Sequence, residues 1–195
     1  MTVAQALEPV LRDQRYYQVS GGGLTISGGE PTMHPDFLYA LLKQAKAAGL
    51  HTAVETCGFC SPAVLERIAP LVDLFLWDHK ETDPQKHKTF TGVDNQRILD
   101  NLQQLAGQHA NILLRCPLIP GWNLTENHLK GIRDLLIRYP GLLGCELMAY
   151  HRLGRGKYTE LDMVCDVDEP ELSAAQREEI LSWLKQDISV PVRWG

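Results

Sequence analysis

Five short apolar runs in this chain each end in polar or glycine-rich residues that could bind a ligand. The run ends are Ser27-Gly28-Gly29-Glu30-Pro31, Glu55-Thr56-Cys57-Gly58, Asp78-His79-Lys80, Arg115 and Tyr150-His151. Parallel α/β sheets and barrels bind their ligands at the carboxyl ends of the strands. The recurrence of such ends therefore predicts that these residues share one site.

The turn of Gly28, Gly29 and Glu30 could hold the polar end of a small molecule. Two glycines let the backbone approach a ligand closely, and free N–H groups at such a turn can receive a carboxylate or similar anion. The Glu30 carboxylate could pair with a ligand amine. A tight strand-to-helix turn that needs positive φ is the alternative explanation for the glycines.

Asp78 and Lys80 are two residues apart at the end of an apolar strand, so both are expected on the face that carries Leu74 and Leu76. Opposite charges on an inward face are costly unless they bind a ligand or each other. A ligand site and a structural ion pair therefore both remain open. Arg115 follows another apolar strand and is expected inside the sheet or at its rim.

Two further run ends carry weaker signals. Glu55 and Thr56 could hold a cation or the polar edge of a ligand, and a solvated strand end is the alternative. His151 stands alone, and a lone histidine is more often structural or solvated. Taken together with the glycine turn and the charged residues, these groups would suit a small zwitterion with an amine, a carboxylate and hydroxyls.

The elements that must position these residues alternate along the chain. Strands are predicted at residues 24–27, 51–55, 74–77, 112–114 and 145–149, with 190–193 as a candidate short last strand. Helices are predicted after Thr2, Pro35, Ser61, about Ile98, after Thr125 and after Ser173. Such alternation predicts right-handed crossovers and a parallel sheet. A closed eight-stranded barrel needs about 250 residues, so the fold class is α/β with a partial parallel barrel.

Composition limits the function classes. The 195 residues, 44% hydrophobic and 22% charged, are typical of one globular domain spanning 1–195. The net charge of −5 gives no basic surface for nucleic acid. No apolar stretch approaches the ~20 residues of a membrane span, and five cysteines, an odd count, argue against a secreted disulfide framework. We expect a cytoplasmic protein without nucleic acid or membrane partners.

Cys57 and Cys60 form a C-x2-C pair, which raises a redox or metal interpretation. One pair supplies only half of a zinc site, and no second pair with suitable spacing follows. Structural cysteines are therefore favoured.

Residues 20–31 closely resemble the second-strand region of the glycyl-radical-enzyme activating enzymes, the family of the pyruvate formate-lyase activating enzyme. These are radical S-adenosylmethionine (SAM) proteins. The likeness continues, in order and over nearly the whole chain, through residues 51–58, Asp78-His79-Lys80, 91–95, 115–121 and 150–154. It implies the radical SAM type of partial barrel.

The resemblance also implies roles for the run ends. The amino group of SAM would meet the glycine turn, and its carboxylate, ribose and adenine would meet the other groups. The implied SAM-binding residues are Gly28, Gly29, Glu30, Thr56, Asp78, Lys80, Arg115 and His151. Glu55, Thr56 and Asp78, with backbone near Leu76, resemble a monovalent-cation site beside SAM. Relatives often carry Asp at the position of Glu55 and Asn at that of Cys57.

One family feature is absent from the sequence. The family holds a [4Fe–4S] cluster with three cysteines spaced C-x3-C-x2-C, and no such spacing occurs here. Cys116, Cys145 and Cys165 are isolated. The expectation is an N-terminally truncated chain that lacks the first strand and the cluster loop, has no cluster ligands, and is not competent alone.

For the intact protein the resemblance implies radical chemistry. A reduced cluster, supplied with electrons by flavodoxin or ferredoxin, would cleave SAM, and the 5′-deoxyadenosyl radical would take hydrogen from a glycine of a partner enzyme. The partner would be of the formate-lyase, dehydratase or decarboxylase type. Two alternatives remain: a cluster-free module that binds SAM or a partner, and a partial-barrel aldolase with a Schiff base on Lys80.

Overall fold

A computed structural model describes residues 1–108, 111–151 and 171–195. Cys165 and residues 152–154 of the family resemblance lie outside the described residues. The helices are α1 (Val3–Arg12), α2 (Gln14–Ser20), α3 (Pro35–Ala47), α4 (Pro62–Ile68), α5 (Pro84–Thr91), α6 (Gln96–Gln108), α7 (Glu126–Arg138) and α8 (Ala174–Lys185). The strands are β1 (Gly23–Ile26), β2 (His51–Thr56), β3 (Leu74–Asp78), β4 (Ile112–Leu118), β5 (Gly144–Ala149) and β6 (Val192–Trp194).

The strands form one parallel sheet in chain order, β1 to β6. Within the described ranges, β1 and β6 pair with one strand each, so the sheet is open as in a partial barrel. The predicted α/β fold with a parallel sheet is thereby confirmed. None of the described helices is long and apolar enough to cross a membrane.

Local signals set the helix ends. The side chain of Thr2 and that of Ser173 each close a capping box with the glutamine three residues later, at the starts of α1 and α8. Asp83 accepts hydrogen bonds from the Gln85 and Lys86 amides and so begins α5. The caps at Thr2 and Ser173 confirm the helices predicted there.

The two faces of the sheet differ sharply. In β3, Phe75 and Trp77 are fully buried against the helices, whereas Leu74, Leu76 and Asp78 alternate with them and are only half-buried. Pairing in register places the matching residues of the other strands on the same side. We call this side the open face, defined by Glu55, Leu76, Asp78, Leu113, Arg115, Glu146 and Arg193.

The main core lies between the helix-facing side of the sheet and the helices, and it includes Phe75, Trp77, Leu102 and Ile132. A smaller cluster packs α1 on α3 around Leu7, Leu41, Ala45 and Leu50. Burial of these side chains is the main stabilising contribution.

Several elements differ from the sequence predictions. The helix predicted after Thr2, expected to end at Ser20-Gly21-Gly22-Gly23, is divided into α1 and α2. The helix α5 was not predicted, because it buries only His87 and shows no apolar stripe. The strands β1 and β6 lie at Gly23–Ile26 and Val192–Trp194 rather than at 24–27 and 190–193. The strand β4 extends four residues past the predicted end, because Cys116 and Leu118 remain buried on the helix-facing side.

Candidate functional site

The carboxyl ends of β1, β2 and β3 bring several predicted residues to one place. A cavity of about 250 Å³ opens there, and its lining includes Glu30, Cys57 and Lys80. These residues come from three different run ends of the sequence. That Glu30 and Lys80 bind one ligand in this cavity stays a prediction.

The glycine turn after β1 has the backbone that only glycine adopts easily. The φ angles are +96° at Gly28 and +51° at Gly29, and no atom lies within 4 Å of the place where a β-carbon would be. The turn therefore requires its glycines for conformation, and it also leaves open space beside exposed backbone. Its role toward SAM stays a prediction.

Glu30 fastens the loop after β1 to the end of β2. Its Oε1 accepts hydrogen bonds from the Thr32 amide (3.1 Å), the Thr32 hydroxyl (2.8 Å) and the Thr56 hydroxyl (2.7 Å). Its Oε2 accepts one from the Cys57 amide at 2.9 Å. Burial alone would raise the pKa of Glu30, but these hydrogen bonds outweigh it and the pKa lies below its ordinary value. Glu30 is thus an ionised carboxylate at neutral pH.

Thr56 completes this junction, which leads to a first prediction. Its hydroxyl donates to Glu30 and accepts from the Gly58 amide at 2.9 Å. Thr56→Val keeps the shape but leaves that buried amide unpaired, so we expect a loss of about 2 kcal/mol in the free energy of unfolding, measured with urea. Thr25→Val, at an exposed position of β1, is the control and should change it by less than about 0.5 kcal/mol. Equal effects of the two variants would contradict the assigned role of Thr56.

Asp78 and Lys80 do not form the structural ion pair that was one interpretation of their spacing. Neither the Asp78 carboxylate nor the Lys80 ammonium has a hydrogen bond or ion pair to another described residue. Burial raises the pKa of Asp78, and the charges of Lys80 and Arg115 only partly oppose this. A carboxyl and an ammonium group that have no hydrogen bond or ion pair within the described ranges can both bind a ligand.

Arg115 lies on the open face within a row of alternating charges. Its Nη1 is 2.6 Å from Oε1 of Glu55, and its Nε is 4.0 Å from Oε2 of Glu146. Glu146 is held in turn by Arg193, with nitrogen–oxygen distances of 2.6 and 3.0 Å. The Glu55 carboxylate, predicted to bind a cation, is therefore paired with a guanidinium in this structure.

His151 follows Tyr150 beyond the end of β5 and is exposed. No contact joins His151 to the other predicted site residues in the described part of the chain. The sheet order nevertheless places it at the same edge as the other strand ends.

The sequence did not predict a buried polar cluster next to Lys80, formed by His79, Thr82 and His128. His79 Nε2 is 3.1 Å from the Thr82 hydroxyl, which lies 2.9 Å from Nδ1 of His128. Burial lowers the pKa of His79 to about 3 and that of His128 to about 4. Two features of the sequence could have predicted that these histidines are buried. His79 alternates with Asp78 and so faces the helices. His128 lies on the apolar stripe of α7 with Ile132.

The described cysteines do not form a metal centre. Cys60, Cys116 and Cys145 are buried and Cys57 is half-buried. The sulfurs of Cys116 and Cys145 are 3.9 Å apart on the helix-facing side of the sheet. Across the described ranges, no three His, Cys, Asp or Glu side chains are grouped to hold a metal ion.

Comparisons with known proteins agree on one family. Residues 5–135 match the family model described as the radical SAM superfamily. The chain is 38% identical, over 98% of its length, to the choline trimethylamine-lyase activating enzyme of Oleidesulfovibrio alaskensis. It is 42% identical, over 89% of its length, to the isethionate sulfite-lyase activating enzyme of Nitratidesulfovibrio vulgaris. The chain covers 63% and 56% of the length of these two relatives.

Solved structures show the same fold. A domain of the pyruvate formate-lyase-activating enzyme from Bacteroides vulgatus superposes with a TM-score of 0.73 at 28% identity, over 89% of this chain and 99% of that one. Streptococcus suis SuiB bound to S-adenosylmethionine has a TM-score of 0.73 at 12% identity, over 100% of this chain and 44% of that one. The expected type of partial barrel is confirmed.

Proposed function

This chain belongs to the radical SAM superfamily, and from that premise we propose that it is the SAM-binding part of an activating enzyme for a glycyl radical enzyme. The observation that carries the proposal is the 38% identity, over 98% of the chain, to an enzyme of that kind. The comparisons do not favour an aldolase or a module without catalysis. The geometry of the carboxyl edge supports the same function, as follows.

The residues at this edge fit the amino-acid end of SAM. A zwitterion needs an anionic group for its amine and cationic groups for its carboxylate. The ionised Glu30 and the exposed backbone of Gly28 and Gly29 suit the amine, and Lys80 and Arg115 suit the carboxylate. The ammonium of the half-buried Lys80 has no hydrogen bond or ion pair to another described residue, and such a charge is costly without a ligand, which favours binding there.

The remaining predicted residues complete the proposed site. Asp78 and His151 are assigned to the ribose and adenine surroundings. Glu55, Thr56 and Asp78 are assigned to a monovalent cation. Because Glu55 is paired with Arg115 at 2.6 Å, cation binding at Glu55 would use its other oxygen or release Arg115 toward the ligand.

The cysteines do not fit a [4Fe–4S] cluster. Radical SAM proteins use such a cluster together with SAM, and a cluster needs thiolates brought together. Two of the four described cysteines, Cys116 and Cys145, lie on the helix-facing side of the sheet, and the sequence has no C-x3-C-x2-C. The proposal therefore requires cluster ligands from outside the 195 residues.

The contribution of this chain would be to bind and orient SAM and to limit its exposure to water. On receiving one electron, SAM held at this edge would release methionine and give a 5′-deoxyadenosyl group able to take a hydrogen atom from a glycine of the partner. The relatives act on lyases and dehydratases by name. We therefore propose a cytoplasmic partner of the lyase or dehydratase class, with flavodoxin or ferredoxin as the electron donor.

Binding of SAM to the chain tests the core of the proposal. Equilibrium dialysis with radiolabelled SAM should show saturable binding, and Lys80→Ala should weaken it ~10-fold or more because a charge-assisted contact is lost. Lys43→Ala, at an exposed position of α3, is the matched control and should bind as the wild type does. Absence of binding, or equal affinity of Lys80→Ala and wild type, would contradict the proposed site.

The activity needs the complete protein. Reading the genomic DNA upstream of Met1 should reveal an in-frame C-x3-C-x2-C. The protein expressed with that segment should release 5′-deoxyadenosine from SAM under reducing conditions. It should also give a glycyl radical signal in the electron paramagnetic resonance of a neighbouring glycyl radical enzyme. A complete reading frame without such a cysteine motif would overturn the activating function.

A further inference from the structure

The loop that carries Lys80 leaves the sheet directly after β3. The last bond to the neighbouring strand is donated by the His79 amide to the Arg115 carbonyl, at 2.8 Å. Beyond it, the backbone of Lys80 needs a partner outside the ladder of the sheet, because a buried carbonyl without one is costly. A lysine side chain is long and flexible, so the position of its ammonium depends on where its backbone is fixed.

Asn123 supplies that partner from the segment between β4 and α7. Its Nδ2 donates to the Lys80 carbonyl and to the Pro117 carbonyl, both at 2.7 Å. Its Oδ1 accepts from the Ile119 amide at 2.7 Å. The side chain is 3% exposed. Because both partners of Nδ2 are carbonyls and the partner of Oδ1 is an amide, the orientation of the amide group is fixed.

The same amide group connects the ends of two strands that carry cations. Lys80 is two residues beyond the last residue of β3, and Pro117 is two residues beyond Arg115 in β4. We propose that Asn123 is a positioning residue that sets the separation of Lys80 and Arg115 for the carboxylate of SAM. This inference rests on the proposed function and goes beyond it by assigning to Asn123 a role that acts through Lys80.

Asn95, at the start of α6, offers a matched comparison. Its Nδ2 donates to the carbonyls of Glu81 and Thr82, at 3.0 and 2.8 Å, and it is equally buried at 3%. It therefore fastens the same loop with two similar bonds, one and two residues past Lys80. A variant of Asn95 should lose comparable stability without releasing Lys80 itself.

A double-mutant cycle on SAM affinity, with Lys80→Ala, Asn123→Ala and the pair, tests the inference. We expect Asn123→Ala to weaken SAM binding ~10-fold and Asn95→Ala by less than ~3-fold, with urea denaturation showing similar losses of stability. In the Lys80→Ala background, Asn123→Ala should weaken binding by no more than ~3-fold. If Asn123→Ala is insoluble, Asn123→Ser, which keeps one donor, replaces it and should show the same coupling.

The results distinguish SAM binding by this chain from the positioning role of Asn123. A wild-type chain that does not bind SAM contradicts the proposed function. Binding that Lys80→Ala weakens and Asn123→Ala does not, or equal weakening by the Asn123 and Asn95 variants, overturns the positioning role alone. Full additivity in the cycle would likewise show that Asn123 does not act through Lys80.

Discussion

Replacing Gly131 with alanine will destabilise this protein by about 3 kcal/mol, although the change adds one methyl group to a helix. Gly131 is a buried residue of α7, and a β-carbon there would overlap the Thr82 side chain. Thr82 cannot turn away freely, because its hydroxyl is engaged by His79 at 3.1 Å and by His128 at 2.9 Å. Either α7 or the loop after β3 must move.

The size of the effect follows from three contributions. Overpacking costs about 1–3 kcal/mol, and breaking the buried hydrogen bonds of Thr82 costs about 1–3 kcal/mol more. The higher helix propensity of alanine offsets up to about 1 kcal/mol of this loss relative to glycine. The net loss should appear as a lower midpoint in urea unfolding followed by circular dichroism.

Gly107→Ala is the control for Gly131→Ala. Gly107 is exposed in α6, and no atom lies within 4 Å of its β-carbon position. With no clash, the change should stabilise the protein by up to about 1 kcal/mol. A Gly131→Ala protein as stable as the wild type would show that α7 does not pack on Thr82 as described.

The protein will lose about 5 kcal/mol of stability between pH 7 and pH 4.5, mainly through His79 and His128. Burial foremost lowers the pKa of both, to about 3 and about 4, and His79 is further disfavoured as a cation by the charges of His128 and His87. In the unfolded chain both titrate near 6.5. Below that pH the unfolded state binds more protons than the folded state, so stability falls as the pH falls.

The hydrogen bonds fix the neutral form of His128. Its Nδ1 accepts from the Thr82 amide at 3.1 Å, so that nitrogen carries no proton. The approach of Glu81 to the same atom, at 3.7 Å, is therefore not an ion pair. Protonating Nδ1 would break the bond from Thr82, which adds to the cost of a buried charge.

The pH window identifies the groups responsible. The carboxylates of Glu30 and Asp73 have pKa values below their ordinary ones, so their stabilisation is lost only at lower pH, below about 4.5. Urea unfolding at several pH values should give a slope approaching 2.7 kcal/mol per pH unit between pH 6.5 and 4.5. His128→Gln should reduce this slope by about half, and His34→Gln, at an exposed position, should leave it unchanged. A flat profile would contradict the neutral buried pair.

The spacing of apolar residues predicted much of the fold, because it shows which side of each strand or helix is buried. The alternation of β3 placed Asp78 with Leu74 and Leu76, opposite Phe75 and Trp77, and the structure has this arrangement. The polar helix α5 has no such spacing of apolar residues, since it buries only His87. Its existence depends on the Asp83 cap and on the burial of His87 by other elements.

The sequence predicted which residues lie at the ends of the strands, but it did not predict the pairs that these residues form. The contact between Arg115 and Glu55 joins β4 to β2 across an intervening strand, and the spacing within either strand does not encode it. The junction at Glu30 and the amide of Asn123 likewise depend on how distant loops fold together.

The alternating charges of Glu55, Arg115, Glu146 and Arg193 restrict what can lie against the open face. An apolar segment packed there would desolvate four charged groups that pair along the row, from Glu55 to Arg115 to Glu146 to Arg193. The cost of that desolvation would exceed the gain from apolar contact. Any lid over this side of the sheet must therefore bring its own dipoles or keep a hydrated lining. A cavity with such a lining would favour charged ligands over apolar ones.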